Sequence, residues 1–218
     1  LRAQILYYLG ENLAVRSEEF AKRIVSMTGE DLASATREVE LSIDRLFTYA
    51  AWADKFDGAV HGAPLRGVAL AMNEPVGVIG MICPDENPLL GMVSLLAPAL
   101  AMGNVVVAIP SEPFPLSATD LYQVFETSDL PSGVVNLITA KHAEVAETLA
   151  GHMDLDAVWY FGSSGQSEII EKASVTNLKR TWVNHGFARD WLDSMKGEGK
   201  EFLHQASEVK NVWIPYGE

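Results

Sequence analysis

An α/β domain built on a doubly wound parallel sheet is the fold class this sequence predicts. Two observations carry the prediction. Five β-prone runs, at 76–82, 105–109, 134–139, 157–161 and 181–184, alternate with helical patterns near 91–102, 117–127, 143–151 and 165–173. The runs are also apolar almost throughout, as strands are when helices cover both faces of their sheet. Right-handed crossovers between such strands give a Rossmann-like domain.

The elements read in order as follows. Residues 1–57 are helical: Ile5, Leu6, Leu9 and Leu13 recur at helical spacing. Ser17 is expected to cap a second helix, with Glu18 and Glu19 in its favourable first turn. From about Asp31 a longer helix shows Val39, Ile43, Leu46, Phe47 and Ala50 on one face, carries Trp52 near its end and is expected to stop at Gly58. Gly58, Gly62, Pro64 and Gly67 punctuate a hairpin over 58–73. The alternating units then run to residue 190. A polar, glycine-rich stretch with Gly186, Gly197 and Gly199 follows, then a short helix at 201–207 and an alternating strand, Val209 to Pro215. The expected organisation is N-terminal helices packed on the core (1–57), a hairpin belonging to a β-flap (58–73), the Rossmann-like domain (74–190) and a C-terminal segment with the last flap strand (191–218).

Length and composition bound the function. At 218 residues with 48% apolar residues, the chain can bury a sizeable core. Sixteen Lys and Arg against 29 Asp and Glu give a net charge of −13, which repels nucleic-acid phosphates and anionic lipid, so neither is an expected partner. A single cysteine, Cys83, excludes an internal disulfide and fits a reducing, cytoplasmic setting. No signal peptide is visible, and the start at Leu1 reads as a piece of a longer protein. The uncharged stretch 91–110 has the length of a membrane span, but Pro98 interrupts it, Gly103-Asn104 makes a turn and a β-rich run follows. A buried helix and a buried strand account for it better.

The motifs are more specific. Asn73-Glu74-Pro75-Val76-Gly77-Val78-Ile79-Gly80, then Cys83-Pro84-Asp85-Glu86-Asn87-Pro88-Leu89, then Ala97-Pro98-Ala99-Leu100-Ala101-Met102-Gly103-Asn104 follow one another. Tyr49-Ala50-Ala51-Trp52-Ala53-Asp54-Lys55, Leu130-Pro131-Ser132-Gly133-Val134-Val135-Asn136, Asn177-Leu178-Lys179-Arg180 and Val209-Lys210-Asn211-Val212-Trp213 complete the set. Together they resemble the aldehyde dehydrogenase superfamily, whose patterns are E-P-x-G-V-x-G, P-W-N-x-P-L, A-P-A-L-A-x-G-N, Y-x-A-x-A-D-K, L-P-x-G-V-x-N, N-L-K-R before E-L-G-G, and V-K-x-V-W in an oligomerisation strand. The resemblance implies a whole catalytic domain between E-L-G-G and V-K-x-V-W. Here only the stretch from Gly186 to Glu208 stands in that interval. Such a layout is similar to the truncated C-terminal region of family-16 aldehyde dehydrogenases, and Asp85-Glu86 and the closing Ile214-Pro215-Tyr216-Gly217-Glu218 point the same way.

Aldehyde oxidation needs a thiolate nucleophile, amide donors for the oxyanion, a carboxylate base and a nicotinamide. By the resemblance, the nucleophile's region is missing and Cys83 is a small buried residue at a strand end. The oxyanion asparagine aligns with Glu86, its neighbour Asn87 is one residue out of place, and the base of E-L-G-G aligns with Asn184. The two glycines of that motif become Gly186 and Phe187. The ribose-binding lysine of K-P-x-E aligns with Ile109, leaving Pro110, Ser111 and Glu112. The glycine ahead of the phosphate-proximal helix becomes Ala146. Gly162 and Ser163 remain from F-T-G-S and retain a helix N-terminus suited to a pyrophosphate, with Phe161 crowding the same place. The expectation is therefore no catalytic residue, no metal and no cofactor in this chain, with vestigial cofactor positions at Pro110, Ser111, Glu112, Gly162 and Ser163, and NAD confined to a parent enzyme.

Other chemistry is weaker still. Gly162-Ser163-Ser164-Gly165 fails as a nucleophile elbow because Gln166 stands where glycine is required. His61, His142, His152, His185 and His204 have no metal-ligand spacing and read as solvated or capping groups. Asp154 and Asp156 read as a solvated turn, and Met72, Met81, Met92 and Met102 as core filler. The expected role is a non-catalytic assembly module whose flap docks on the catalytic region of the parent enzyme, the chain alone forming a homo-oligomer, a dimer above all. The alternative is a dinucleotide-binding regulatory domain that retains affinity for NAD.

Overall fold

In a computed structural model, residues 1–64 and 66–215 are described; Leu65 in the hairpin and Tyr216, Gly217 and Glu218 at the end lie outside them. The core is a five-stranded parallel sheet of β3 (Val78–Ile82), β4 (Val105–Ile109), β5 (Val135–Leu137), β6 (Ala157–Tyr160) and β7 (Arg180–Val183). A second, antiparallel sheet contains β1 (Ala59–Gly62), β2 (Gly67–Pro75) and β8 (Ser207–Pro215). The parallel sheet runs in the order β5-β4-β3-β6-β7. The chain thus winds outward from β3 in one direction, returns, and winds out in the other, so the α/β class read from the alternation is the observed one. Each strand run is present: 105–109 as read, 76–82, 134–139 and 157–161 shortened, and 181–184 shifted to Arg180–Val183. The first begins at Val78 because Gly77, at φ +129°, turns the chain out of β2, and its amide donates to Asn104 Oδ1 at 3.0 Å.

Helices cover both faces of this sheet, as nearly continuous apolar strands require. On one face lie α4 (Pro88–Met102) and α5 (Leu116–Glu126), backed by α1 (Arg2–Val15), α2 (Ser17–Thr28) and α3 (Leu32–Ala53). On the other lie α6 (His142–Gly151) and α7 (Ser164–Ser174), with Ala146, Ala150 and Ile170 packed over Ile82, Ile109 and Val158. Every residue of α4 is buried, which is why its sequence shows no polar face. The uncharged stretch is therefore the body of α4 followed by β4, and no helix among the described residues is long and apolar enough to cross a membrane. Gly103 ends α4 at φ +95°, and the buried Asn104 side chain donates to Ala99 O and Ala206 O, tying α4 to the entry of β8.

Several local expectations are corrected. Ser17 is the first residue of α2, not its cap: only Arg16 separates α1 from α2, and no side chain caps that start. Glu18 and Glu19 do lie in the first turn. The third helix, capped by Asp31 Oδ1 on the Ser34 amide, ends at Ala53 and not at Gly58. Gly58 is instead needed where the chain passes under β2, because a Cβ there would lie 2.1 Å from Ala71 O. Met81, Met92 and Met102 are core residues, but Met72 lies exposed on the antiparallel sheet. Asp156 does more than face water: its Oδ2 accepts from the Val78 amide at 2.8 Å and starts β3.

Polar groups at helical spacing on α3 point inward, not outward. Glu38 is 1% exposed, and its Oε1 accepts from the Leu89 and Leu90 amides at 2.8 and 3.1 Å, capping α4 from outside its own sequence. Its Oε2 meets no donor among the described residues. Burial raises the Glu38 carboxyl above its ordinary value of 4.5, against the opposing pull of the two amides. The folded state therefore holds this proton more tightly than the unfolded chain does. Its contribution is favourable below the ordinary value and is lost as pH rises through the raised one. Glu38→Gln keeps an oxygen for the two amides and removes the charge. Relative to the natural chain, the stability of this variant is expected to improve as pH rises above the ordinary value of 4.5 and to level off once the raised value is passed, read by urea unfolding at several pH values; a pH-independent difference would rule this out.

Arg45, 1% exposed, organises the C-terminal segment. Its guanidinium donates to Ser94 Oγ on α4, to Trp191 O at 2.7 Å and to Gly197 O, and pairs with Glu198 Oε2 at 3.2 Å. Tyr49, one turn further along α3, accepts from the Gly199 amide at 3.0 Å. These bonds hold α8 (Ser194–Gly197) and α9 (Lys200–Gln205), the latter ending before 207 because Ser207 already belongs to β8. In the Asn177-Leu178-Lys179-Arg180 motif, Arg180 serves the same purpose from the sheet, donating to Ser207 O at 2.6 Å and His204 O at 3.1 Å, while Lys179 donates to His152 O at the end of α6.

The antiparallel sheet has the order β1-β2-β8. Its register pairs Val60 with Leu70, Leu70 with Val212 and Val68 with Ile214. Directly paired residues share a face, so Val60, Val68, Leu70, Met72, Val212 and Ile214 form an apolar patch on one face, bordered by the Lys210–Glu74 pair on the same face. Val60, Met72 and Ile214 on it are exposed. Among the described residues β8 has no partner on its outer edge.

Candidate functional site

Ligands of doubly wound sheets sit beyond the carboxyl ends of the strands, where the winding direction reverses. Here that place lies between the loops after β3 and β6. A cleft of about 270 Å³ opens there, lined by Pro84, Glu86, Phe161, Gly162, Asn184 and Arg189 among others. Its neighbourhood brings together most of the residues singled out from the sequence, and it shows what each one does.

Cys83 follows β3 with its amide donating to Ile109 O at 2.9 Å, and its side chain is fully buried. Burial first, and the nearby Asp85 charge second, push the thiol pKa far up, so the sulfur stays protonated and out of reach of a carbonyl. Glu86 is exposed and lines the cleft with a carboxylate where an oxyanion would need a donor. Asn87 instead adopts a left-handed conformation, φ +48°, at the start of α4.

The positions after β4 engage one another. Ile109 is 1% exposed and packs in the core. Pro110 O lies 2.8 Å from His142 Nε2. The Ser111 hydroxyl and the Glu112 amide both donate to Asp85 Oδ1, at 3.0 and 2.9 Å. The Glu112 carboxylate accepts from the His142 amide at 2.9 Å, at the first residue of α6. His142 is thus a stitching residue, whereas His61 stays exposed. The His152 ring accepts from the Asp154 amide, the His204 ring packs edge-on against Phe56, and His185 lies 3.4 Å from Glu171. No group of three or more His, Cys, Asp and Glu among the described residues is arranged to hold a metal ion.

The turn after β6 is occupied in the same way. The Gly162 amide donates to Asn184 Oδ1 at 2.9 Å, and Asn184 Nδ2 donates to Phe187 O at 2.9 Å. The Ser163 amide donates to the Tyr160 hydroxyl at 2.8 Å. Ser163 Oγ caps α7 by accepting from the Gln166 amide at 3.3 Å. Phe161 does not crowd this turn as expected. It is 4% exposed and stacks edge-on against Trp182 and Trp191, with centroids 4.9 and 5.3 Å apart. The group that fills the turn is the Tyr160 hydroxyl, which the sequence reading missed. An unusual hydroxyl one residue ahead of Phe161-Gly162-Ser163 was the available signal. Gly162 makes its approach possible, since a Cβ there would lie 2.3 Å from that oxygen.

Comparison with known proteins fixes the lineage. Residues 1–188 match the model of the aldehyde dehydrogenase family. The chain belongs to the aldehyde dehydrogenase family. This aldehyde dehydrogenase family member is 34% identical over 187 residues to the NADP/NAD-dependent aldehyde dehydrogenase PuuC of Escherichia coli K12, a match covering 85% of this chain and 38% of that protein. It is also 34% identical over 211 residues to aldehyde dehydrogenase 1A1 of Equus caballus, covering 94% and 42%. Among solved structures it resembles PnpE from Pseudomonas sp. WBC-3, with a TM-score of 0.80, 29% identity and coverage of 84% of this chain and 38% of that one. It is similar also to betaine aldehyde dehydrogenase of Staphylococcus aureus solved with NAD+, at TM-score 0.80 and 27% identity, covering 84% and 37%. The chain therefore spans about two fifths of the length of the relatives it matches.

Proposed function

We propose that this chain is a non-catalytic aldehyde-dehydrogenase-like module, equivalent to the truncated C-terminal region of family-16 aldehyde dehydrogenases. It acts in the structure and oligomer assembly of a larger, cytoplasmic, NAD-dependent enzyme that oxidises aldehydes to carboxylic acids. The observation that carries this reading is the antiparallel sheet. Strand β8 joins β2 directly after the short segment 186–206, presenting an open edge and an apolar face built from Val60, Leu70, Val212 and Ile214. An open edge with apolar side chains beside it is a template for strand addition. We assign its partner as the catalytic region of the parent enzyme, with self-association of the chain when that region is absent.

The same reading leaves this chain without aldehyde chemistry or a dinucleotide of its own. Its support is local: a buried thiol, an amide at Asn184 in place of a base, Ile109 in place of a ribose-binding cation, and turn amides that meet side-chain acceptors of the chain itself. Those groups do not fit a dinucleotide. Sedimentation velocity of the chain over a wide concentration range should show a dimer or larger species that Val212→Lys, which places a charge on the apolar face, shifts to monomer. A monomer at every concentration would defeat the assembly reading. Isothermal titration separates the alternative of a regulatory dinucleotide site: saturable heat with NAD and a Kd below about 100 μM would favour it.

A further inference from the structure

We propose that the carboxyl-end rim of the parallel sheet has become a self-ligated brace, in which the chain's own side chains fill the hydrogen-bonding positions a bound pyrophosphate and ribose would take. The inference rests on the reading above that this chain carries no dinucleotide, and adds what has replaced it.

The loops at this rim are joined in two groups, one on each side of the reversal: those after β3 and β4 with the turn entering α6, and those after β6 and β7. Asp85, after β3, accepts from Ser111 and Glu112, after β4. Glu112 accepts from the amide of His142, and the ring of His142 returns to Pro110 O. On the other side of the reversal, Asn184, after β7, accepts from Gly162, after β6, and Tyr160 reaches past Gly162 to accept from Ser163. In each group a side-chain oxygen sits on a backbone amide at or just before a helix start, where an anion would otherwise be favoured. Those amides must be satisfied by something when no phosphate is present. Asn184 and Tyr160 do this with neutral oxygens, which suits a rim already carrying Asp85, Glu86 and Glu112. The brace is thus local in origin: a phenol hydroxyl beside a glycine, and an amide at the end of β7. Its result is to fix α6 and α7 against the sheet without a ligand between them.

Hydrogen exchange tests the brace residue by residue. By NMR, the amides of Gly162 and Ser163 are expected to exchange at least about tenfold more slowly than those of Ser164 and Gly165, which meet no acceptor among the described residues. Tyr160→Phe should bring the Ser163 amide to the rate of Ser164 while Gly162 stays slow; Asn184→Ala should do the reverse. A loss of overall stability would speed all four amides together, so the selective pattern is the signature. Equal rates at all four positions in the natural chain, or no selective change in a variant that folds, would overturn the brace. NAD at about 1 mM should leave the four amide resonances of the natural chain unmoved. A saturable shift there, with Gly162 and Ser163 still slow, would overturn the reading that no dinucleotide binds and leave the exchange result to judge the brace.

Discussion

Arg45→Met is expected to destabilise the fold by about 3 kcal/mol, the lower end of the range for breaking a buried ion pair, because Glu198 is partly exposed. For a chain of this size that corresponds to a fall in Tm of about 6–12 °C. The cost comes from what the substitution leaves behind. Ser94 Oγ, the carbonyls of Trp191 and Gly197 and one Glu198 oxygen lose their shared donor at a site where water has little access. Burial already lowers the Arg45 pKa and raises that of Glu198, in each case against the attraction between the two charges. The pair therefore adds little net stability as a pair while its one-sided removal is expensive. Two measurements separate this account from a simple loss of packing. Adding Glu198→Gln should recover part of the loss, since it removes the stranded charge. Exchange at residues 191–199 should accelerate more than exchange in α4. A variant as stable as the natural chain, or one in which Glu198→Gln makes matters worse, would show that Arg45 does not organise this segment.

Trp191→Ala should be of similar or greater severity, about 3–5 kcal/mol, by removing one of the largest fully buried side chains of the molecule. Trp191 lies within a group of rings at edge-on angles, 5.3 Å from Phe161 and 6.5 Å from Phe202, with Trp182 5.2 Å from Phe202. The Arg189 guanidinium stands over this group, 5.2 Å from the Phe202 centroid, and is itself held by Glu201 at 3.0 Å. The cavity left by alanine would open toward the cleft, so partial collapse places the loss in the lower half of that range. Urea unfolding followed by near-ultraviolet circular dichroism reads both stability and the ring group. The double variant with Arg45→Met should lose less than the sum of the two single losses, because the Trp191 carbonyl is one of the groups Arg45 holds. Full additivity would separate two features that the structure places in one unit.

The parallel sheet was legible because its strands are mostly apolar on both faces and its helices, apart from the wholly buried α4, show an apolar stripe, which are signals of period and composition. The starts and stops of the elements were less so. The residues that decide them, Gly77 for β3 and the Arg16 joint for α2, act through backbone angles or tertiary contacts that no local pattern displays. The same limit applies to Glu38 and Arg45. On a helix such residues usually face water, yet with Ser42 between them they fall at helical spacing on the side that faces α4. That spacing was the available clue. At the cleft, the resemblance located Ile109, Glu112, Gly162 and Asn184, but the oxygen of Tyr160 and the role of His142 emerge only once the loops are placed side by side.

The last strand has a consequence for how the chain comes to be made. Gly67 pairs with Pro215, and β2, already paired with β1, finds its second neighbour only in residues 207–215. During synthesis the parallel sheet and its helices can form early, from nearby segments, while β2 waits with one side bare. Not until residue 215 has left the ribosome can the sheet that carries the proposed docking face be completed, so the open edge on β8 is among the last features of this region to form.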